Sequence, residues 1–314
     1  MSTQPDLANL LHPASLRRLA QDWLREDTPH FDYGGFVVGE RRQTAGLLLK
    51  SPGVLAGGPF AQAVFEEVGC SVEWLRREGS TVLPVCRVAT VRGKARHLLL
   101  GERVALNCVA RASGIASASR RVAELAAQAG WGGHIAGTRK TTPGFRLVEK
   151  YAMMVGGVAS HRYDLSSLIM LKDNHVVAAG NIAKAVGDGR KVGGVFTKIE
   201  VEARSLDEAR EAARAGADIV MLDNFTAQGV LAGASALKEE FPGVLIEASG
   251  GITEENVTQY LSPHVDIISL GSLTQNYSCL DFSLKIDREQ GADNGLVDLG
   301  PSSETPAGRR DFAF

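Results

Sequence analysis

The chain has 314 residues with 34 basic and 36 acidic side chains, a net charge of −2 at pH 7. That balance excludes the general cationic coat that nucleic acid requires, and no apolar run approaches the ~20 residues that span a bilayer. Cys70, Cys86, Cys108 and Cys279 are scattered without Cys-x-x-Cys spacing, which excludes a zinc ribbon or a disulfide framework and fits a reducing compartment. Met1-Ser2-Thr3-Gln4-Pro5-Asp6 has no charged segment followed by an apolar core, so the expected location is cytoplasmic.

Taken in chain order, residues 13–26 predict an amphipathic helix, with Pro13 in the first turn and Leu16, Leu19, Ala20, Trp23 and Leu24 on one face. An apolar run at Leu47-Leu48-Leu49 and a helix-like segment at 60–68 follow. Residues 71–75 and 81–91 carry the branched side chains of strands, joined by a turn at Glu78-Gly79-Ser80. Residues 98–129 read as mostly helical. This first third, taken as residues 1–115, is an α+β unit of its own.

From about residue 130 the texture changes. His134-Ile135-Ala136 is a strand-like run, and clear strands start at 198, 218, 244 and 266, each separated by one helix. Ser205 and Glu208 form a capping-box pattern before the first of these helices. Residues 227–240 predict the next, and a third is expected to be capped near Thr253. Alternation of apolar strands with helices implies a parallel sheet covered by helices. Asp223, Ser249-Gly250-Gly251 and Gly271-Ser272 all follow apolar strands directly. Chemistry spread over several strand ends favours a βα barrel over an open sheet with one glycine-rich turn. Residues 115–275 are fewer than the ~250 of eight full units, so the barrel over 116–280 should be incomplete. Residues 281–287 alternate with period two and read as a strand returning to the first unit's sheet. The tail, 288–314, is Gly-, Ser- and Pro-rich and is expected to be flexible.

The chemistry-bearing residues gather on this barrel. Gly137-Thr138-Arg139-Lys140-Thr141-Thr142-Pro143-Gly144-Phe145-Arg146 packs three cations into ten residues, and His161-Arg162 and Lys172 follow at the ends of later segments. Each alone is an ordinary surface charge. As a group at one barrel mouth they form a pocket for a compact polyanion, arginine supplying a planar fork and lysine a point charge. Arg139 and Lys140 are neighbours, so the chain must turn there for both to face one pocket. Glu202 and Asp223 end two adjacent predicted strands. Their structural reading is loop salt bridging; their functional reading is a Mg²⁺ site, because that ion takes one or two carboxylates, waters and substrate phosphates. Glu200, inside the strand, fits a supporting role. Ser249-Gly250-Gly251 and Gly271-Ser272 precede helices and fit a phosphate grip built from backbone N–H groups.

These residues, with Ser51-Pro52-Gly53-Val54-Leu55-Ala56-Gly57, Gly101-Glu102-Arg103-Val104-Ala105-Leu106-Asn107, Ala159-Ser160-His161-Arg162, Lys172-Asp173-Asn174-His175, Leu222-Asp223-Asn224-Phe225 and Glu247-Ala248-Ser249-Gly250-Gly251-Ile252, give a chain that resembles the quinolinate phosphoribosyltransferases from about residue 10 to 287, its eukaryotic members most closely. The resemblance implies an N-terminal α+β open-faced sandwich joined to an incomplete, TIM-like α/β barrel. It implies transfer of phosphoribose from phosphoribosyl pyrophosphate to quinolinate, giving nicotinate mononucleotide, pyrophosphate and carbon dioxide in de novo NAD biosynthesis. Arg103, Arg139, Lys140, His161, Arg162 and Lys172 would line the substrate site. Glu202 and Asp223 would face ribose and Mg²⁺, largely through substrate and water, and Ser249, Gly250, Gly251 and Gly271 would hold phosphate. Lys140, Lys172, Glu202 and Asp223 are the residues to which catalysis is assigned. The resemblance also implies a homodimer with shared sites, or a hexamer as a trimer of dimers. The rivals are a nicotinate phosphoribosyltransferase, which handles one carboxylate fewer, and a silent phosphosugar-binding protein, which would lack one of those four residues.

Overall fold

The computed structural model describes residues 6–288. The expected flexible tail falls outside them, apart from its first residue. The chain begins with α1 (Pro13–Asp27) and α2 (Tyr33–Val38), then β1 (Arg42–Leu49), β2 (Gly53–Val54), α3 (Gly58–Glu67), β3 (Ser71–Trp74), β4 (Thr81–Val82), β5 (Cys86–Lys94) and the 34-residue α4 (Ala95–Gln128). The barrel segment runs β6 (His134–Ala136), α5 (Arg146–Gly156), β7 (Ile169–Leu171), α6 (Asp173–Ala179), α7 (Ile182–Gly193), β8 (Ile199–Ala203), α8 (Leu206–Arg214), β9 (Ile219–Asp223), α9 (Ala227–Glu240), β10 (Leu245–Ser249), β11 (Ile267–Ser269), α10 (Ser272–Gln275) and β12 (Phe282–Ile286).

The first sheet is antiparallel in the order β12-β1-β5-β3. Period-two alternation sends Ala45, Leu47 and Leu49 of β1, opposite Val91 and Ala89 of β5 and Leu284 and Phe282 of β12, into one core. The other face carries ion pairs instead: Arg92 Nη1 lies 2.8 Å from Glu73 Oε2, and Arg87 pairs with Asp287. One apolar and one polar face make this an open-faced sandwich. The returning strand pairs as its alternation predicts, with Leu47 opposite Leu284.

The second sheet is parallel in the order β6-β11-β10-β9-β8-β7. The first strand lies beside the last, which an open doubly wound sheet does not do and a barrel must. Ala159 bridges Ala136 in parallel, adding a strand-like segment beyond β6. Among the described residues no pairing joins that segment to β7, and the barrel is open there. Its core, which includes Ile199, Val201, Val220, Leu222, Ile246, Ala248 and Ile268, is covered by the flanking helices. Helix α4 contributes to both cores, with Val104 and Leu106 in the first and Ile115, Val122 and Ala126 in the second. Phe60 of α3 meets Tyr151 of α5 edge-on at 5.5 Å between ring centroids, a pairing worth about 1 kcal/mol.

Three local expectations are corrected. Residues 81–91 are two strands rather than one, because Pro84 lacks the N–H that a continuous ladder needs. The helix expected near Thr253 is a turn followed by one 3-10 turn, Val257–Tyr260. There Asn256 accepts the Thr253 N–H at 2.8 Å and donates to the Gly251 carbonyl at 3.0 Å, so its side chain competes with helical bonding. At α8, Ser205 accepts the Glu208 N–H at 3.2 Å as expected, but Glu208 reaches back to the N–H of Arg204, at 2.8 Å, rather than to that of Ser205.

Candidate active site

At the carboxyl ends of the parallel strands lies a cavity of about 520 Å³. Inward-pointing residues alternate along barrel strands, and the strands from β7 to β10 deliver polar groups to the rim. Lys172 follows β7, Glu202 lies on β8, Asp223 ends β9 and Ser249 ends β10; all four line the cavity. Strand β6 stops at Ala136, so Arg139 and Lys140 lie in the loop beyond it. The Thr138 hydroxyl accepts the Lys140 N–H at 3.1 Å, and Thr141 N–H donates to Arg139 O at 2.9 Å. That turn is the one required for both cations to line the cavity, and both do. His161 and Arg162 line it from the segment after Ala159.

The two late loops complete the rim. Gly250 has φ 94° and Gly251 φ 64°, left-handed conformations that side chains resist, and a Cβ on Gly250 would lie 2.8 Å from the Asn224 nitrogen. A Cβ on Gly271 would come within 2.9 Å of Lys140 Cδ, so the missing side chain is what lets Lys140 cross it. The Thr274 hydroxyl donates to Lys140 O at 2.6 Å and fixes that crossing.

Lys172 Nζ donates to Glu202 Oε2 at 2.6 Å, and the Lys172 N–H is held by His175 Nδ1 at 3.2 Å. Asn224 Nδ2 donates to Asp223 Oδ2 at 2.6 Å. Burial, and then the neighbouring Glu202 carboxylate, raise Asp223 above the ordinary aspartate range. Burial, followed by repulsion from Arg139, disfavours the charge on Arg162. Two residues into the barrel from Ser249, Glu247 Oε2 lies 3.0 Å from His161 Nε2, and Glu200 lies 3.7 Å from the same nitrogen. Both acids are fully buried.

Arg139, Lys140, His161, Arg162, Lys172, Glu202, Asp223, Ser249, Gly250, Gly251 and Gly271 therefore line one cavity, while Arg146, Glu200 and Ser272 do not. Nor does Arg103: it is exposed on α4. Sequence reasoning missed Glu247, Asn224, Thr138 and Ser269, which also line the cavity. Parity could have found Glu247, which shares the inward face of β10 with Ser249.

Two family models match the chain: the quinolinate phosphoribosyl transferase N-terminal domain over residues 32–113 and the C-terminal domain over 115–285. The chain is 57% identical over 280 residues to the nicotinate-nucleotide pyrophosphorylase [carboxylating] of Homo sapiens, covering 89% of this chain and 94% of that one. The protein of the same name from Rattus norvegicus is 56% identical over the same shares. The solved nicotinate-nucleotide pyrophosphorylase of Francisella tularensis superposes with a TM-score of 0.82 at 31% identity, over 91% of this chain and 100% of that one. With both domain models matched in order and full-length relatives above half identity, the chain belongs to the quinolinate phosphoribosyl transferase family.

Proposed function

We infer that the barrel-mouth cavity is where this chain carries out its family's reaction: transfer of phosphoribose from phosphoribosyl pyrophosphate to the ring nitrogen of quinolinate, with release of pyrophosphate and carbon dioxide. The observation that carries this reading is the gathering of Arg139, Lys140, His161, Arg162 and Lys172 in one cavity with Glu202 and Asp223. The two substrates bring roughly seven negative charges, counting phosphates at −1.5 to −2 each. Only a dense cation wall holds them side by side. As the ring nitrogen bonds to the sugar carbon and the bond to pyrophosphate breaks, that carbon becomes oxocarbenium-like, and nearby carboxylates stabilise it. The alkylated nitrogen is cationic. Its charge stabilises the electron pair that stays on the adjacent ring carbon when the carboxylate there departs as carbon dioxide, and a proton then adds to that carbon. The chain's part is to orient the two carboxylates and exclude water. Nicotinate offers one carboxylate fewer and would leave a buried cation unpaired, which is costly.

Glu202 and Asp223 fit a Mg²⁺ ion. They are hard oxygen donors on adjacent strands; burial first, and then the Glu202 charge, raise Asp223, and a bound dication would relieve that repulsion. When bound, the ion would neutralise phosphate charge on the departing pyrophosphate. Ser249, Gly250, Gly251 and Gly271 supply backbone donors for phosphate. Arg103 is read as a contribution from a second copy, in a homodimer or a hexamer of three dimers. Among the described residues no helix is long and apolar enough to cross a membrane, and the scattered free cysteines support a cytoplasmic location.

Glu202→Ala and Asp223→Ala should each lower turnover about 100-fold or more while circular dichroism stays that of the wild type, because neither residue belongs to an apolar core. Excess chelator should abolish turnover. Wild-type rates in both variants, or full activity in chelator, would overturn the assignment.

A further inference from the structure

Two separate loops carry the arginines of the cavity: one after β6 with Arg139 and Lys140, the other with His161 and Arg162. Both are tied to a single face of α5 by side chains that are absent from the cavity wall. Arg146 Nε donates to the Thr141 hydroxyl at 3.0 Å, and its Nη1 donates to Tyr163 O at 3.3 Å, so one guanidinium spans both loops. Glu149 Oε2 accepts the Thr142 N–H at 3.0 Å. Lys150 Nζ donates to Ser160 O. Positions 146, 149 and 150 are spaced i, i+3, i+4 and share one helical face.

The cost of this arrangement marks it as more than packing. Glu149 is fully buried, with Oε2 bonded and Oε1 without a hydrogen-bond partner, and Lys150 is 1% exposed; burying such groups is costly. Around them on the same helix, Val148, Ala152 and Met153 are apolar core. The loops also need restraint. Arg139 and Arg162 repel each other, and His161 sits at φ 56°, a conformation uncommon for a residue with a side chain. The bracket grips both sides of His161, through Ser160 and Tyr163.

We propose that Arg146, Glu149 and Lys150 are positioning residues, a polar face of α5 that holds the two cationic loops at one fixed separation so that their like charges are ready for two anionic substrates. This rests on the reading that Arg139 and Arg162 bind those substrates.

The test uses the full-length chain and steady-state kinetics with quinolinate and phosphoribosyl pyrophosphate. Arg146 is only half-buried, so Arg146→Ala should fold. Its kcat/KM should fall about 10- to 100-fold, the range that displaced positioning groups produce, with KM for both substrates rising. Thr141→Val removes the acceptor from the other end, and its effect should not add to that of Arg146→Ala. Lys150→Met should lose activity and Lys150→Arg should recover part of it. If kcat/KM of Arg146→Ala and Thr141→Val stays within about twofold of wild type while thermal stability drops, the contacts are structural only and the proposal fails. Arg139→Ala and Arg162→Ala, assayed in parallel, separate the two readings. Activity retained there overturns the substrate-site assignment itself; activity lost there but kept in Arg146→Ala overturns only the bracket.

Discussion

Glu200 shows how a strand residue can be chemical and still lie outside the cavity wall. It is fully buried, and neither carboxyl oxygen has a hydrogen-bond partner. Burial, and then Glu247, push it well above the ordinary carboxylate value of 4.5; Arg162 and Lys172 act in the opposite sense, and Glu202 reinforces the rise. His161 Nε2, at 3.7 Å, faces it as well. A carboxyl that holds its proton more tightly folded than unfolded contributes stability that is complete below the unfolded value and is lost as pH rises through the folded one. Glu200→Gln, which keeps the shape and cannot ionise, should therefore raise the thermal midpoint relative to wild type at pH 8 and have little effect at pH 4.5. Thermal unfolding at both pH values checks this, and an equal loss at both would contradict it.

At the scale of elements, legibility followed length. Helix α9 occupies the predicted residues 227–240, and α4 runs Ala95–Gln128 where 98–129 was expected, because long helices repeat their apolar period many times. Strand β7, Ile-Met-Leu, was not anticipated: three apolar residues carry no period. Asp223 and Ser249 were readable because a polar residue closing an apolar run is conspicuous, Glu202 from its place at the end of a predicted strand, and Lys172 from its place among the clustered cations. Glu247 was not, since an acid inside a strand reads as an isolated exception until the barrel's inward parity is known. The α5 contacts of Arg146, Glu149 and Lys150 are tertiary, and nothing in their local sequence distinguishes them from a solvated helix face. Arg146 even belongs to the cationic stretch at 137–146, yet its guanidinium spans loops rather than lining the cavity.

For the whole molecule, the position of Arg103 matters most. Every other residue assigned to the site comes from the barrel, while Arg103 is exposed on α4. If a second copy supplies it, mixing inactive Arg103→Ala with inactive Lys140→Ala under subunit exchange forms hybrids with one site intact and one doubly impaired. Activity should return to about a quarter of wild type for random pairing into closed dimers. Verified exchange without recovery would place Arg103 in its own chain's function or in none. The central claim is that one cavity, walled by Arg139, Lys140, His161, Arg162 and Lys172, takes an acid with two carboxylates. Its most direct measurement is carbon dioxide release from quinolinate in the presence of phosphoribosyl pyrophosphate and Mg²⁺, with nucleotide formation from nicotinate as the control. The expected result is carbon dioxide release matched by nicotinate mononucleotide formation, and negligible turnover of nicotinate; comparable turnover of the two acids, or none of quinolinate, would contradict it.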